Sequence, residues 1–180
     1  KIQDIMIYRF RVILDTEEDI FRDIEIEQNA SLEDFHNCIT QSFGFDGTEM
    51  ASFFISDDQW HQGEEIALFD METSEDPIRV MSETVLEEVV HQEQTRLIYV
   101  YDFLSLWTFF VELGDIVEPE DGMSYPNLMY THGQIPAEAP PADFSGDEDQ
   151  ESEDIYDQED FDDDYDVDDY DNLDFDENWN

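Results

Sequence analysis

Residues 6–14, "MIYRFRVIL", carry an apolar period of two: Met6, Tyr8, Phe10, Val12 and Leu14 fall on one side of an extended chain. Ile5, Ile7 and Ile13 fall on the other side with Arg9 and Arg11. Successive side chains of a strand point to opposite faces, so a segment of this kind buries its apolar side only as a strand packed against a second layer. "IFRDIEIEQ" repeats the pattern, with Ile20, Ile24 and Ile26 inward against Asp23, Glu25 and Glu27 outward. The polar "DTEED" between the two runs predicts an antiparallel hairpin.

The period then changes. In "SLEDFHNCITQSFG", Leu32, Phe35, Ile39 and Phe43 recur at helical spacing, Ser31 is a good N-cap with Asp34 in the first turn, and Gly44 ends the run. "ASFFIS" reads as a short strand and "DDQWHQGEE" as a turn. "SETVLEEVVHQ" predicts a second helix capped by Ser82, with Val85, Leu86, Val89 and Val90 on one face. "TRLIYVYDF" and "LWTFFVEL" are aromatic, β-branched and apolar on both faces, which predicts central strands. Residues 114–146, rich in Pro, Gly and acids, are expected to be irregular chain draped over the sheet. The resulting fold class is α+β, a mostly antiparallel sheet with two helices on one face.

Composition shifts at Gly146, which divides the chain into an α+β domain, residues 1–146, and an acidic-aromatic low-complexity tail, residues 147–180. The last 34 residues hold 19 of the 51 acids and no cation. The rest holds 51 − 19 = 32 acids and all six cations, a formal charge of −26 within a total of −45. So much uncompensated like charge predicts disorder in the tail when it is alone. Its rings, Tyr156, Phe161, Tyr165, Tyr170, Phe175 and Trp179, are spaced 5, 4, 5, 5 and 4, which is neither a strand nor a sustained helical period. A purely solubilising tail has no use for exposed rings. Adaptation of the whole surface to high salt suits the single Lys but not the concentration of acid at one end. Rings held apart by carboxylates suit a loose contact in which the rings take apolar notches and the acids meet Lys and Arg.

The same charge excludes whole classes of partner. Duplex DNA and anionic membranes are attracted by Lys and Arg, so neither direct nucleic-acid binding nor membrane contact is expected. No 18 apolar residues run together, and Asp4, Arg9 and Arg11 interrupt the N-terminal apolar stretch, so a soluble cytoplasmic protein is expected. Cys38 is the lone cysteine, and its neighbour His36 points to a different side of the predicted helix; the spacing suits a buried apolar Cys38 and an edge-lying His36 rather than a nucleophile dyad. No Gly-x-Ser-x-Gly, Walker or dinucleotide-binding word occurs, and the four histidines are scattered. No catalytic residue, metal ligand or cofactor is therefore assigned.

The stretches "SLEDFHNCITQSFGFDGTEMASFFI", "VLEEVV", "YVYDFLSLWTFFVEL" and "SYPNLMYTHGQIPAEAP" resemble, in order, the plasmid pRiA4b-type open-reading-frame-three-like domain family of plasmid and transposon passenger proteins. The resemblance implies an α+β fold and no established activity. It departs from the family's words at Leu104, Ser105, Thr108 and Phe109 and at Glu49, Met50 and Ala51, where relatives tend to carry polar groups. His36, Asp46, Tyr101, Asp102 and Trp107, which lie in the recognisable words, form a possible cleft. The leading expectation is a mobile-element-associated, non-enzymatic interaction module whose tail rings and acids bind a basic protein, a nucleic-acid-binding protein being the type that offers both features. The alternative is a small-ligand-binding or hydrolytic domain with a cleft around "YDF" and "FGFDG". Oligomeric state stays open.

Overall fold

A computed structural model describes residues 4–70 and 77–141. The opening hairpin forms as its alternation requires: β1 (Ile7–Leu14) pairs antiparallel with β2 (Phe21–Glu27), placing Phe10 opposite Ile24 and Val12 opposite Arg22. Helix α1 (Leu32–Phe43) then crosses one sheet face. Its start is a capping box in which Asp34 N–H donates to Ser31 Oγ at 3.0 Å and Ser31 N–H donates to the Asp34 carboxylate at 3.2 Å. Its end is Gly44 at φ 88°, a left-handed cap that a side chain would strain.

The remaining strands are β3 (Ala51–Ser56), β4 (Gln62–Ala67), β5 (Arg79–Val80), β6 (Arg96–Tyr101), β7 (Trp107–Val117) and β8 (Asn127–His132). They form one sheet in the order β5-β4-β3-β6-β7-β1-β2-β8, antiparallel throughout except for β4 beside β5. The strands expected to be central, β6 and β7, are central. One α+β layer pair results, with α1 and the short α2 (Leu86–Val89) contributing to a single core. Ring contacts join the layers: Phe10 to Phe35 at 4.5 Å and Phe43 to Phe109 at 4.8 Å, both tilted, and Phe35 stacked on Phe53 at 5.6 Å. Each fully buried ring of this kind contributes about 1.5–3 kcal/mol of transfer free energy.

Several local expectations are corrected. The second helix breaks into a 3₁₀ turn at Met81–Glu83 and the single turn of α2, and Ser82 caps neither. Thr84 and Val85 stay extended because the segment pairs with the approach to α1: Leu32 N–H donates to Thr84 O and Leu86 N–H to Ala30 O, both at 2.8 Å. The expected turn after β3 covers only the first part of its span, and Gln62 opens a strand instead. Gly63 permits it, since a Cβ there would stand 2.6 Å from Ile55 O. Residues 114–146 are not all irregular: β7 runs on to Val117, with a bulge opposite Arg9 and Phe10, and β8 adds an edge strand beside β2. Glu25, expected outward, is 5% exposed because Arg9 Nε and Asn127 Nδ2 both donate to it at 2.9 Å. The tail expected to be disordered lies outside the described residues.

Arg22 ties three elements together. Its Nε donates to Ser42 O at the C-terminal end of α1, and Nη1 donates to the carbonyls of Phe21, His132 and Gly133, at 2.8–3.1 Å. The guanidinium lies 4.4 Å from the centre of the Phe43 ring. Burial lowers its pKa, yet an arginine remains charged, and the negative end of α1 offsets part of that cost. Arg22→Met keeps the apolar stem and strands these carbonyls, so it is expected to lower unfolding free energy by about 2–4 kcal/mol in urea titration.

Candidate functional site

Tyr99 and Tyr101 stand two apart on β6, so both hydroxyls reach the face covered by α1. Tyr99 Oη meets His36 Nδ1 at 2.6 Å, and the two rings are 5.9 Å apart. Both side chains are buried, His36 at 2% exposure and Tyr99 at 0%. Burial pushes the His36 pKa down to about 4 and the Tyr99 hydroxyl well up. At neutral pH the pair is thus an uncharged imidazole facing a protonated phenol.

Tyr101 belongs to a second set. Its Oη accepts the N–H groups of Gly47 at 3.1 Å and Glu49 at 3.4 Å and donates to Asp46 Oδ1 at 3.1 Å. The same Asp46 oxygen accepts from Thr48 N–H and Oγ1, and these bonds with that of Tyr101 hold its pKa below the usual carboxylate value. Burial is the main reason that the pKa of Tyr101 is raised. The reversal at Gly44 brings Phe45 over this set, stacked on Tyr101 at 4.7 Å and edge-on to Trp107 at 5.1 Å. Asp102, at φ 69°, serves the β6–β7 turn: its carboxylate accepts Leu104 and Ser105 N–H, its carbonyl accepts Leu106 N–H, and its own N–H donates to Met50 O.

The chain therefore brings His36, Asp46, Tyr101 and Trp107 into one cluster through Tyr99 and Phe45, with Asp102 beside it in a turn. The polar groups are one another's partners, and Tyr101 and Trp107 are only 2% and 7% exposed. Geometrically it is a latch that fastens the 44–50 loop to the ends of β6 and β7. Sequence reasoning omitted Tyr99 and Phe45; the spacing of Tyr99 from Tyr101 on a strand is the signal that could have found the first. One local expectation is reversed, since His36 is buried and Cys38 is half-buried. Tyr99 supplies the partner that lets the imidazole enter the core, while partial burial pushes the Cys38 thiol up to about 11 and leaves it protonated.

Cys38 instead lines an open groove of ≈ 520 Å³ between α1, β2 and the chain entering β8, with Ile26, Gln41, Tyr125, Pro126 and Leu128. None of His36, Asp46, Tyr101, Asp102 and Trp107 lines it. Among the described residues no three His, Cys, Asp or Glu side chains converge as they would around a metal, and no helix is long and apolar enough to cross a membrane. Tyr156, Phe161, Tyr165, Tyr170, Phe175 and Trp179 lie outside the described residues.

A family model described as plasmid pRiA4b ORF-3-like protein matches residues 6–179. The chain belongs to that family. A solved structure of similar fold is that of the protein of unknown function MM3350 from Methanosarcina mazei Go1, with a TM-score of 0.61 at 19% identity. The likeness covers 72% of this chain and 70% of that one, and at such identity it shows the fold alone. No curated protein matches the chain. Within the pRiA4b ORF-3-like family, this member's "FGFDG" and "YVYDF" words are thus the two halves of the latch.

The buried imidazole makes stability pH-dependent. Its folded pKa of about 4 lies below the ordinary 6.5, so below pH 6.5 the unfolded chain binds a proton that the folded chain refuses. Stability from this group is complete above pH 6.5 and falls by about 3 kcal/mol on descending through pH 4. Comparing urea midpoints of the native chain and His36→Gln across that window is expected to show the native chain losing more stability, by that amount.

Proposed function

We propose that the protein is a non-enzymatic interaction module whose acidic, ring-bearing C-terminal segment binds a basic protein, one with a nucleic-acid-binding face being the best fit. One observation carries the reading. Each arginine of the described residues is already committed: Arg9 to Glu25, Arg11 to Asp23, Arg79 to Glu88, Arg96 to Glu112 and Arg22 to backbone carbonyls. The 19 acids of residues 147–180 find no spare arginine there, so their counter-charge must come from small cations or from a partner. Six rings among them favour a partner, because rings add contact area that small cations cannot use.

The alternative cleft draws support from the meeting of His36, Asp46 and Tyr101. A substrate would first have to displace Phe45 and break the hydrogen bonds of Tyr101, so the interaction reading is preferred. Exchanging Tyr165, Tyr170, Phe175 and Trp179 for serine in the full chain, with every acid kept, tests it. Affinity for a basic nucleic-acid-binding protein, measured calorimetrically, is expected to fall about tenfold or more, equivalent to about 1.4 kcal/mol. Equal affinity would mean that charge alone binds.

A further inference from the structure

Gly122 to Ala137 is the longest uncharged run of the chain, 16 residues against 11 for the next, Phe35–Phe45. Acids bracket it: Glu118, Glu120 and Asp121 before, Glu138 after. At its centre is β8, the outermost strand on its side of the sheet, paired with β2 on one edge and with no described strand on the other. Leu128, Met129 and Tyr130 are 44%, 44% and 53% exposed. Natural edge strands are commonly blunted by Lys, by Pro or by bulges, since a bare edge is a template for another strand. β8 has neither Lys nor Pro; its one irregularity lies opposite Asp23 and Ile24, where Met129 has no partner residue on β2. A bulge of this kind re-aims a side chain, and Met129 lines a hollow with Arg9, Arg11 and Ile13. On the other face, the groove beside Leu128, Tyr125 and Cys38 adjoins the strand.

We propose that β8 is a docking edge for an extended segment of the basic partner, one with an apolar, uncharged centre flanked by Lys or Arg. The proposal rests on the preceding reading for the sign of the partner's charge. Strand addition supplies main-chain hydrogen bonds, and the flanking hollows select alternate side chains. Charge selects among occupants: two copies of a chain at −45 repel, whereas the acids on either side of β8 attract a segment with basic flanks.

The test uses two fluorescein-labelled peptides, one with a six-residue Val/Thr centre between paired lysines and one with the paired lysines joined by Gly/Ser. Fluorescence anisotropy with the full chain is expected to show at least tenfold tighter binding of the Val/Thr peptide. That advantage disappears in Leu128→Ser/Met129→Ser/Tyr130→Ser, and shrinks in Gln41→Trp, which fills the groove from α1 and leaves the sequence of β8 unchanged. Unfolding midpoints verify that each variant is folded. No advantage in the native chain, or an advantage that survives both variants, overturns the proposal. So does a native dimer in sedimentation velocity that the triple variant abolishes, since a second copy would then be the occupant. Removing residues 147–180 from the chain must leave the advantage in place; a rise of tenfold or more would make the tail the occupant and also overturn it. Failure of the lysine-Gly/Ser peptide to bind in a salt-dependent way counts against the tail reading alone.

Discussion

Five arginines hold a sheet together in a chain that has 51 acids. Arg9 and Arg11 bridge β1 to β2 through Glu25 and Asp23, Arg96 bridges β6 to β7 through Glu112, Arg79 reaches Glu88 of α2, and Arg22 joins β2, α1 and the exit of β8. Cross-strand charge pairs of this kind contribute about 0.2–1 kcal/mol each, and the exposed ones less at high salt. Their larger effect is on register: a one-residue slip of β1 along β2 takes Arg9 and Arg11 away from Glu25 and Asp23. Three of the arginines also lie over rings, Arg11 over Phe21 at 4.0 Å, Arg22 over Phe43 at 4.4 Å and Arg96 over Trp60 at 4.6 Å. With these five arginines paired within the fold, the body presents acid outward.

Beneath α1, an aromatic seam through Phe10, Phe35, Phe53, Tyr99 and Phe109 leaves little polar surface, and what there is closes on itself. The His36–Tyr99 contact and the Tyr101–Asp46 loop anchor are satisfied within the fold. The buried His36–Tyr99 pair specifies one arrangement of the core, while the exposed Asp46 anchors its loop through Tyr101. The words that mark the family in this chain therefore have a structural use: they lock the exit of α1 to the middle of the sheet. The exposed Leu128, Met129 and Tyr130 of β8 lie outside this cluster.

Elements with an unbroken period were legible in the sequence. Strands β1 and β2, helix α1 and the central pair β6 and β7 follow from Ile24, Phe35, Tyr99 and their spaced neighbours. The second helix was misread because Val85, Leu86, Val89 and Val90 imitate a helical stripe, whereas Thr84 and Val85 bond across to the start of α1. Strand β4 opens with exposed Gln62, Gly63 and Glu64, which show no apolar alternation, and β8 hides between Pro126 and Gly133. Of the candidate cluster, the members were legible as words but their closure was not. His36 and Tyr99 are 63 residues apart, and no local spacing announces that one will bury the other.

Amide hydrogen exchange over the whole chain, with and without a saturating basic nucleic-acid-binding protein, bears most directly on this account. Slowed exchange is predicted in residues 122–137 and 147–180, with the amides of 36–46 and 99–107 unchanged. Protection centred on His36, Asp46, Tyr101 and Trp107, with β8 and the C-terminal segment unaffected, would contradict it and restore the cleft as the working surface.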